Sequence, residues 1–238
     1  VINTVVIASR HDSHASLVLR ALRAGKSVFV EKPLCLSLDE LEEIEVTLQA
    51  LPSDRRGALM VGFNRRFSPH VVRLKSLLDT VQGPKSFIVT VNAGRIPAEH
   101  WTQDPSVGGG RLIGEACHFI DLLRFLAGQP IAAIQATGLG VRAGQPGTRD
   151  TFTLTLEFED GSLGSIAYFA NGSAAYPKER VEAFAAGRVL QIDNFRTTKA
   201  FGWSGAGQLR TWRQDKGQQA CVAAFLAGVR AGRSPIAQ

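Results

Sequence analysis

Few features of this sequence point to a membrane, to secretion or to a metal site. No apolar run approaches the ~18 residues that a membrane span requires. The opening residues, VINTVVIASRHDSH, lack the basic start, apolar stretch and cleavage site of a signal peptide. The three cysteines, Cys35, Cys117 and Cys221, are too far apart to form a metal or redox motif. We therefore expect a reduced, cytoplasmic protein.

Concentrated positive charge is also missing. The net charge is +6, but Lys and Arg are scattered, and no nucleic-acid-binding motif accompanies them. His11 and His14 lie close in sequence, without a Cys or a second cluster to complete a metal site. We expect a basic, solvated surface, with an anionic cofactor or a sugar acid as the alternative explanation of the charge. Nucleic acid, a membrane and a metal are not expected as partners.

The first part of the chain alternates strands and helices. Short apolar runs predict strands at residues 4–8, 28–30 and 59–63, and the first is typical of a parallel strand covered on both faces. Helical spacing predicts a helix at residues 13–24, and a capping-box pattern from Ser37 to Glu40 begins another. The buried face of that second helix is predicted to carry Leu38, Leu41, Ile44 and Leu48. The order β-α-β-α-β is typical of a doubly wound parallel sheet.

The pattern changes after Asn64, where we place a domain boundary between residues 64 and 65. Helices are predicted at residues 69–78, 112–127 and 221–229. Strands are predicted at residues 86–92, 131–137, 151–158, 162–170, 180–185, 188–192 and 209–212. Strands in direct succession predict an α+β domain with a large open, mostly antiparallel sheet.

The glycine-rich turn of a dinucleotide site, G-x-G-x-x-G, is absent. The stretch GLGVRAG, residues 138–144, has one residue too many, and GGGRLIG, residues 108–114, also misses the spacing. Either the chain does not bind a dinucleotide, or it begins after the phosphate-binding turn.

Glu31, Lys32 and Pro33 follow a predicted parallel strand, at the sheet edge where ligands bind in open α/β folds. A lysine there can polarise a hydroxyl or carbonyl, and a glutamate can accept hydrogen bonds from ribose hydroxyls. The proline holds the residue before it in an extended conformation. The alternative is a strand end that returns to solvent with surface charges.

His118 lies in the apolar helix at residues 112–127, with Glu115 and Asp121 three residues away on either side. On an α-helix the three would form one polar stripe, and an imidazole between carboxylates suits a general acid or base. The alternative is a core histidine satisfied by one hydrogen bond.

Two loops carry further polar candidates. In GFNRRFSPH, residues 62–70, Arg65 and Arg66 either meet an anionic substrate or tie the two domains together. In NAGRIPAEHWTQDPS, residues 92–106, the residues suited to holding a polyol or an acid are Arg95, His100 and Trp101. The alternative for this second loop is an oligomer contact.

Four motifs in order resemble the Gfo/Idh/MocA family of nicotinamide-dependent oxidoreductases. They are VVIASRHDSH, AGKSVFVEKPL, VGFNRRFSPH and GGGRLIGEACHFIDLLRFLAG. The forms GFNRRFSPH and GEACHFID are similar to the branch that is fused behind a zinc-dependent alcohol-dehydrogenase-like domain. The resemblance implies an α/β fold in which residues 1–64 are the C-terminal part of a Rossmann domain. Residues 65–238 would form a substrate-binding and oligomerisation domain.

The same resemblance implies an activity and a site. The expected activity is hydride transfer between NAD or NADP and a hydroxyl of a sugar, uronate or cyclitol. Lys32 and His118 would be catalytic. The expected cofactor-binding residues are Ser9, His14, Glu31, Lys32 and Pro33, and the expected substrate-binding residues are Arg66, Arg95, Trp101 and Asp121. The chain is expected to form a homodimer or tetramer through its C-terminal sheet.

This chain departs from the family at one position of interest. Many members carry an Asp four residues before the histidine, whereas this chain has Gly114 there and Glu115 one residue later.

Since the resemblance places the phosphate turn upstream of Val1, the cofactor site would be incomplete and this fragment inactive alone. The alternatives are a non-catalytic scaffold or oligomerisation module, and a glycoside-cleaving enzyme that uses transient oxidation by NAD.

Overall fold

A computed structural model describes residues 2–52, 57–140 and 150–232. The chain divides into two compact units. The first unit holds the residues up to Asn64, the segment Ala98–Cys117 and the residues from Gln218 onward. The second unit holds Arg65–Pro97 and His118–Gly217.

The first unit is built on a parallel three-stranded sheet in the order β1-β2-β3. The strands are β1 (Thr4–Ile7), β2 (Ser27–Val30) and β3 (Leu59–Val61), and the helices between them are α1 (His14–Arg23) and α2 (Leu38–Ala50). This confirms the predicted β-α-β-α-β order. Helix α5 (Gln218–Arg230) reaches β2, where the rings of Phe29 and Phe225 lie 5.6 Å apart.

The capping box of α2 is confirmed. The Ser37 hydroxyl accepts a hydrogen bond from the Glu40 backbone N–H at 3.2 Å, and the Glu40 carboxylate accepts one from the Ser37 backbone N–H at 3.3 Å. The predicted burial of Leu38 is wrong, because Leu38 is the first residue of the helix and is 81% exposed. The helix packs on the core further along, at Ile44 and Leu48.

The burial predicted for β1 is only partly correct. Ile7 belongs to the core, but the side chain of its neighbour Val6 is 67% exposed. Successive residues of a strand point to opposite faces. One face of β1 is therefore open among the residues that the structure describes.

The second unit is built on an eight-stranded sheet in the order β11-β10-β9-β8-β4-β7-β6-β5. Its strands are β4 (Ser86–Asn92), β5 (Ile131–Gly138), β6 (Phe152–Phe158), β7 (Leu163–Phe169), β8 (Glu179–Ala185), β9 (Arg188–Asp193), β10 (Thr197–Phe201) and β11 (Leu209–Arg210). Neighbouring strands are antiparallel except β4 and β7, which are parallel. The predicted large, mostly antiparallel sheet is confirmed.

Strand β10 was not predicted from the sequence. It follows a tight turn in which Asn194 and Phe195 have positive φ angles of 48° and 52°. A bulky residue rarely adopts this conformation, so the sequence carries no ordinary turn signal there. Phe195 is fully buried, and its burial offsets the cost of the conformation.

Helix α3 (Pro69–Leu78) is confirmed with the predicted bounds, but the long helix predicted at residues 112–127 is not uniform. Its first turn, Leu112–Ala116, is π-helical, and the α-helix α4 begins only at Cys117 and ends at Ala127. A π-helical turn has i→i+5 hydrogen bonds and so changes the direction in which side chains project. The three-residue spacing of Glu115 and His118 therefore does not place their side chains on one side of the helix, as it would in an α-helix.

A buried charge cluster links three parts of the second unit. Arg65 donates two hydrogen bonds of 2.9 Å to the Glu179 carboxylate, and Lys216 donates one of 2.6 Å. The Arg65 guanidinium also lies 4.7 Å from the centre of the Phe119 ring. Burial alone would raise the pKa of Glu179, but the hydrogen bonds and charges of Arg65 and Lys216 hold that pKa below its ordinary value. Arg65 is therefore engaged within the second unit.

We predict that Glu179→Ala lowers the free energy of unfolding by about 3–5 kcal/mol, because it leaves buried positive charge without its partner. The control is Glu43→Ala, which removes the exposed pair Arg23–Glu43 and should cost less than about 1 kcal/mol. Urea unfolding followed by circular dichroism measures both. Equal losses in the two variants would contradict the prediction.

Candidate active site

The loops that follow β1 and β2 are joined by a buried histidine. His14 Nδ1 lies 2.7 Å from the carbonyl oxygen of Pro33, and His14 Nε2 lies 3.1 Å from that of Ser9. The imidazole is fully buried, so it fixes the two strand ends against each other. The Lys32–Pro33 peptide bond is cis.

Lys32 is held at this sheet edge by the π-helical turn. Its ammonium donates a hydrogen bond to the carbonyl oxygen of Gly114 at 2.5 Å, and its side chain is half-buried. An ammonium has three N–H donors, so the hydrogen bond to Gly114 leaves Lys32 further donors for a ligand. The side chain of the predicted catalytic lysine is thus held in place by this hydrogen bond.

The residues at the strand ends offer polar groups to a ligand that carries hydroxyls. Glu31 is half-buried, and no other described residue forms a hydrogen bond or ion pair with its carboxylate. A Cβ at Gly62 would lie only 3.2 Å from Glu31 Oε2, so the glycine leaves room for the carboxylate. The exposed Ser9 hydroxyl lies 2.6 Å from that of Ser13. These groups could accept and donate hydrogen bonds to the hydroxyls of a ribose.

His11 is a functional candidate that sequence reasoning considered only as a metal ligand. It is buried, and its Nδ1 lies 2.8 Å from the Gly108 carbonyl oxygen. Its ring packs edge-on against Trp101, with 4.9 Å between centroids, and the Arg10 guanidinium lies 5.8 Å from the same indole. The predicted substrate-binding Trp101 is therefore placed beside His11. Neither histidine burial nor this loop packing has a signature in the sequence.

In the second unit, two predicted substrate-binding residues pair with each other. Arg66 Nε donates to Asp121 Oδ2 at 3.0 Å, and Arg66 Nη2 donates to Asp121 Oδ1. Burial raises the pKa of Asp121, and the hydrogen bonds and charge of Arg66 oppose that rise. Arg66 also lies 5.4 Å from the centre of the Phe125 ring. Because the two side chains are hydrogen-bonded to each other, a ligand would meet an ion pair and not two separate charges.

The remaining predicted residues have simpler surroundings. His118, the second residue of α4, is only 6% exposed. Arg95 is exposed in the loop after β4. The carboxylate of Glu115 lies 3.1 Å from a guanidinium nitrogen of Arg111, so Glu115 is engaged in an ion pair within the first unit.

Residues 2–52, 57–140 and 150–232 contain neither a metal-binding cluster nor a membrane-spanning helix. No group of three or more His, Cys, Asp or Glu side chains in these ranges is arranged to hold a metal ion. No helix in these ranges has the length and apolar content to cross a bilayer.

Two family models match this chain. One, described as "Oxidoreductase family, NAD-binding Rossmann fold", matches residues 1–63. The other, described as "GFO/IDH/MocA C-terminal domain", matches residues 84–189. Together with the parallel sheet and the large mixed sheet, they define a class of oxidoreductases with a Rossmann unit and an appended sheet domain. The chain belongs to the Gfo/Idh/MocA family.

Individual relatives agree with this assignment. Inositol 2-dehydrogenase of Rhizobium meliloti (strain 1021) is 29% identical over 212 residues, which are 88% of this chain and 62% of the relative. Myo-inositol 2-dehydrogenase of Thermotoga maritima is 29% identical over 83% of this chain and 58% of the relative. The chain thus spans about 60% of the length of these curated relatives.

Solved structures share the fold. Levoglucosan dehydrogenase in complex with NADH and levoglucosan superposes with a TM-score of 0.81 at 22% identity, over 98% of this chain and 72% of that one. Aldose-aldose oxidoreductase from Caulobacter crescentus, complexed with glycerol, has a TM-score of 0.76 at 20% identity, over 98% and 71%. At these identities the likeness establishes the fold alone.

We predict that His14→Ala lowers the free energy of unfolding by about 2–4 kcal/mol, because the hydrogen bonding of the buried ring to the strand ends is lost and the ring leaves a cavity. The control is His100→Ala, which removes an exposed histidine and should change stability by less than about 0.5 kcal/mol. Thermal unfolding compares the two variants. A change no larger than that of the control would refute the role of His14 as a tie between the strand ends.

Proposed function

We propose that the protein containing this chain is an NAD(P)-dependent dehydrogenase that oxidises a secondary hydroxyl of a sugar, uronate or cyclitol. The observation that carries the proposal is the Lys32 ammonium, held by the Gly114 carbonyl at the ligand edge of a parallel sheet. The names of the relatives, inositol 2-dehydrogenases, favour a cyclitol.

Oxidation of a CH–OH group removes a hydride from carbon and a proton from oxygen. A bound nicotinamide would supply the acceptor for that hydride. In the proposal, His118 takes the hydroxyl proton, and its burial keeps competing water away from the imidazole. Lys32 donates a hydrogen bond to the reacting oxygen, where negative charge develops as the proton leaves.

The other predicted residues bind rather than react. Glu31 and Ser9 would hold ribose hydroxyls, and His14 and Pro33 would shape the nicotinamide side of the pocket. Arg66, Arg95, Trp101 and Asp121 would hold the substrate. An Arg66–Asp121 pair suits a polyol, since a hydroxyl can donate to the carboxylate and accept from the guanidinium.

For the full-length protein, we predict that Lys32→Ala and His118→Ala each lower kcat by about 100-fold to 10,000-fold. Reduction of NAD or NADP at 340 nm with myo-inositol, glucose or glucuronate measures the rate. The control is Lys85→Ala, in which the lost ammonium donates to the Gly83 carbonyl at a turn and to no other group in residues 2–52, 57–140 and 150–232. Near-wild-type turnover in either active-site variant would remove that residue from the mechanism.

The same assay separates the enzyme from the scaffold. Full-length wild type without turnover on any polyol would support a non-catalytic module. The inactivity of this chain alone stays a prediction. It rests on the expectation that the cofactor site is incomplete, which tight NADH binding by the 238-residue chain would refute. Fusion behind a zinc-dependent alcohol-dehydrogenase-like domain also stays a prediction, which the coding sequence upstream of Val1 tests.

We also propose that the protein forms a homodimer or tetramer through the open face of the second unit's sheet. Phe87, Val89 and Val91 of β4 point into the core. The opposite face of the sheet exposes Ile88 by 42%, Phe184 by 37% and Leu163 by 44%. Ser86 pairs with both Leu163 and Phe184 in the sheet register, so the apolar residues lie in neighbouring strands. Exposed apolar residues grouped on one face of a sheet favour association.

We predict that Phe184→Lys shifts the protein to a smaller species in size-exclusion chromatography with light scattering, because it places a charge in the proposed interface. The control is Val72→Lys on helix α3, which replaces another apolar residue that is 52% exposed. An unchanged mass for Phe184→Lys would contradict association through this face.

A further inference from the structure

The space beside Gly114 is filled by the ring of His11. A Cβ built at Gly114 would lie 3.2 Å from His11 Cε1 and 3.0 Å from the Gly108 carbonyl oxygen. Both distances are tighter than about nine in ten real Cβ contacts. The imidazole therefore lies directly against the position at which a side chain of residue 114 would begin.

The hydrogen bond to Gly108 fixes the tautomer of His11. A carbonyl oxygen only accepts, so Nδ1 at 2.8 Å must carry the proton and Nε2 presents a lone pair. Among the described residues, no protein group forms a hydrogen bond with Nε2. The ring cannot easily rotate away, because Trp101 and His14 pack against it at centroid distances of 4.9 and 5.6 Å.

His11 stays neutral at physiological pH. Burial is the largest cause that lowers its pKa below the ordinary value, and Lys32 and His14 act in the same direction. The Gly108 carbonyl and Asp12 act against this shift and are outweighed. A neutral acceptor thus lies near the ammonium of Lys32, which can only donate.

We propose that His11 is a substrate-specificity residue whose Nε2 accepts a hydrogen bond from a hydroxyl next to the one that Lys32 contacts. The proposal rests on the proposed function, and it names the ligand class as a vicinal diol. Adjacent hydroxyls of a cyclic polyol need both donors and acceptors. Lys32, bound to Gly114, supplies the donor, and His11, packed beside the same glycine, supplies the acceptor.

The test uses two variants of the full-length enzyme. His11→Asn keeps an N–H that can reach the Gly108 carbonyl but has no acceptor at the position of Nε2. His11→Gln extends far enough to restore one. The substrates are the best polyol of the panel above and its monodeoxy analogues, each lacking one hydroxyl, and melting temperatures are recorded for each variant.

We expect His11→Asn to raise KM for the polyol about 10-fold to 100-fold and to leave KM for the dinucleotide within about 2-fold. We expect His11→Gln to recover part of the loss. One monodeoxy analogue should be used equally well by wild type and His11→Asn, because the lost hydroxyl is the partner of Nε2.

The pH dependence gives an independent readout. Protonation turns Nε2 from an acceptor into a donor, so KM of the wild type should rise as the pH falls below about 6.5 toward the lowered pKa of His11. His11→Gln should lack this rise.

Two results would overturn the proposal. One is an unchanged KM for the polyol in His11→Asn. The other is a loss that is equal for the polyol and every monodeoxy analogue, which a merely structural role would produce. Failure of the proposed function would look different, because wild type itself would then turn over no polyol.

Discussion

The ammonium of Lys32 and the carbonyl of Gly114 form the contact on which the first unit's site depends. A lysine at the end of a strand would otherwise sample many rotamers, and the loss of that freedom must be offset by a partner. The π-helical turn supplies a backbone oxygen at 2.5 Å. His14 holds the neighbouring strand ends through Ser9 and Pro33, so the lysine's own backbone is fixed as well.

In the second unit, two successive arginines each form an ion pair with a different carboxylate. Arg65 is committed to Glu179 in a site that excludes solvent. Arg66 pairs with Asp121, with 13% and 9% of the two side chains exposed. Neighbouring residues in a short helical turn point in different directions, so the two arginines reach different carboxylates, and the Arg66 side chain is somewhat more exposed than that of Arg65.

The sequence predicted the regular parts of the fold well, because their signals are local. The strand and helix order of residues 4–61 and the capping box at Ser37 depend on periodicity and on residues a few positions apart. The misses have non-local causes. Strand β10 follows a turn that only the burial of Phe195 explains. Of the candidate site, motifs in the sequence predict Lys32 and His118, whereas the place of His11 depends on packing against residues far along the chain.

The close approach of His11 and Gly114 also constrains how this chain can have changed over time. With the imidazole of His11 in its present place, a Cβ at position 114 would force the ring or the Gly108 carbonyl to shift by a few tenths of an ångström. A side chain at position 114 is therefore tolerated more easily when residue 11 is small. Substitutions at these two positions, which are distant in the chain, depend on one another.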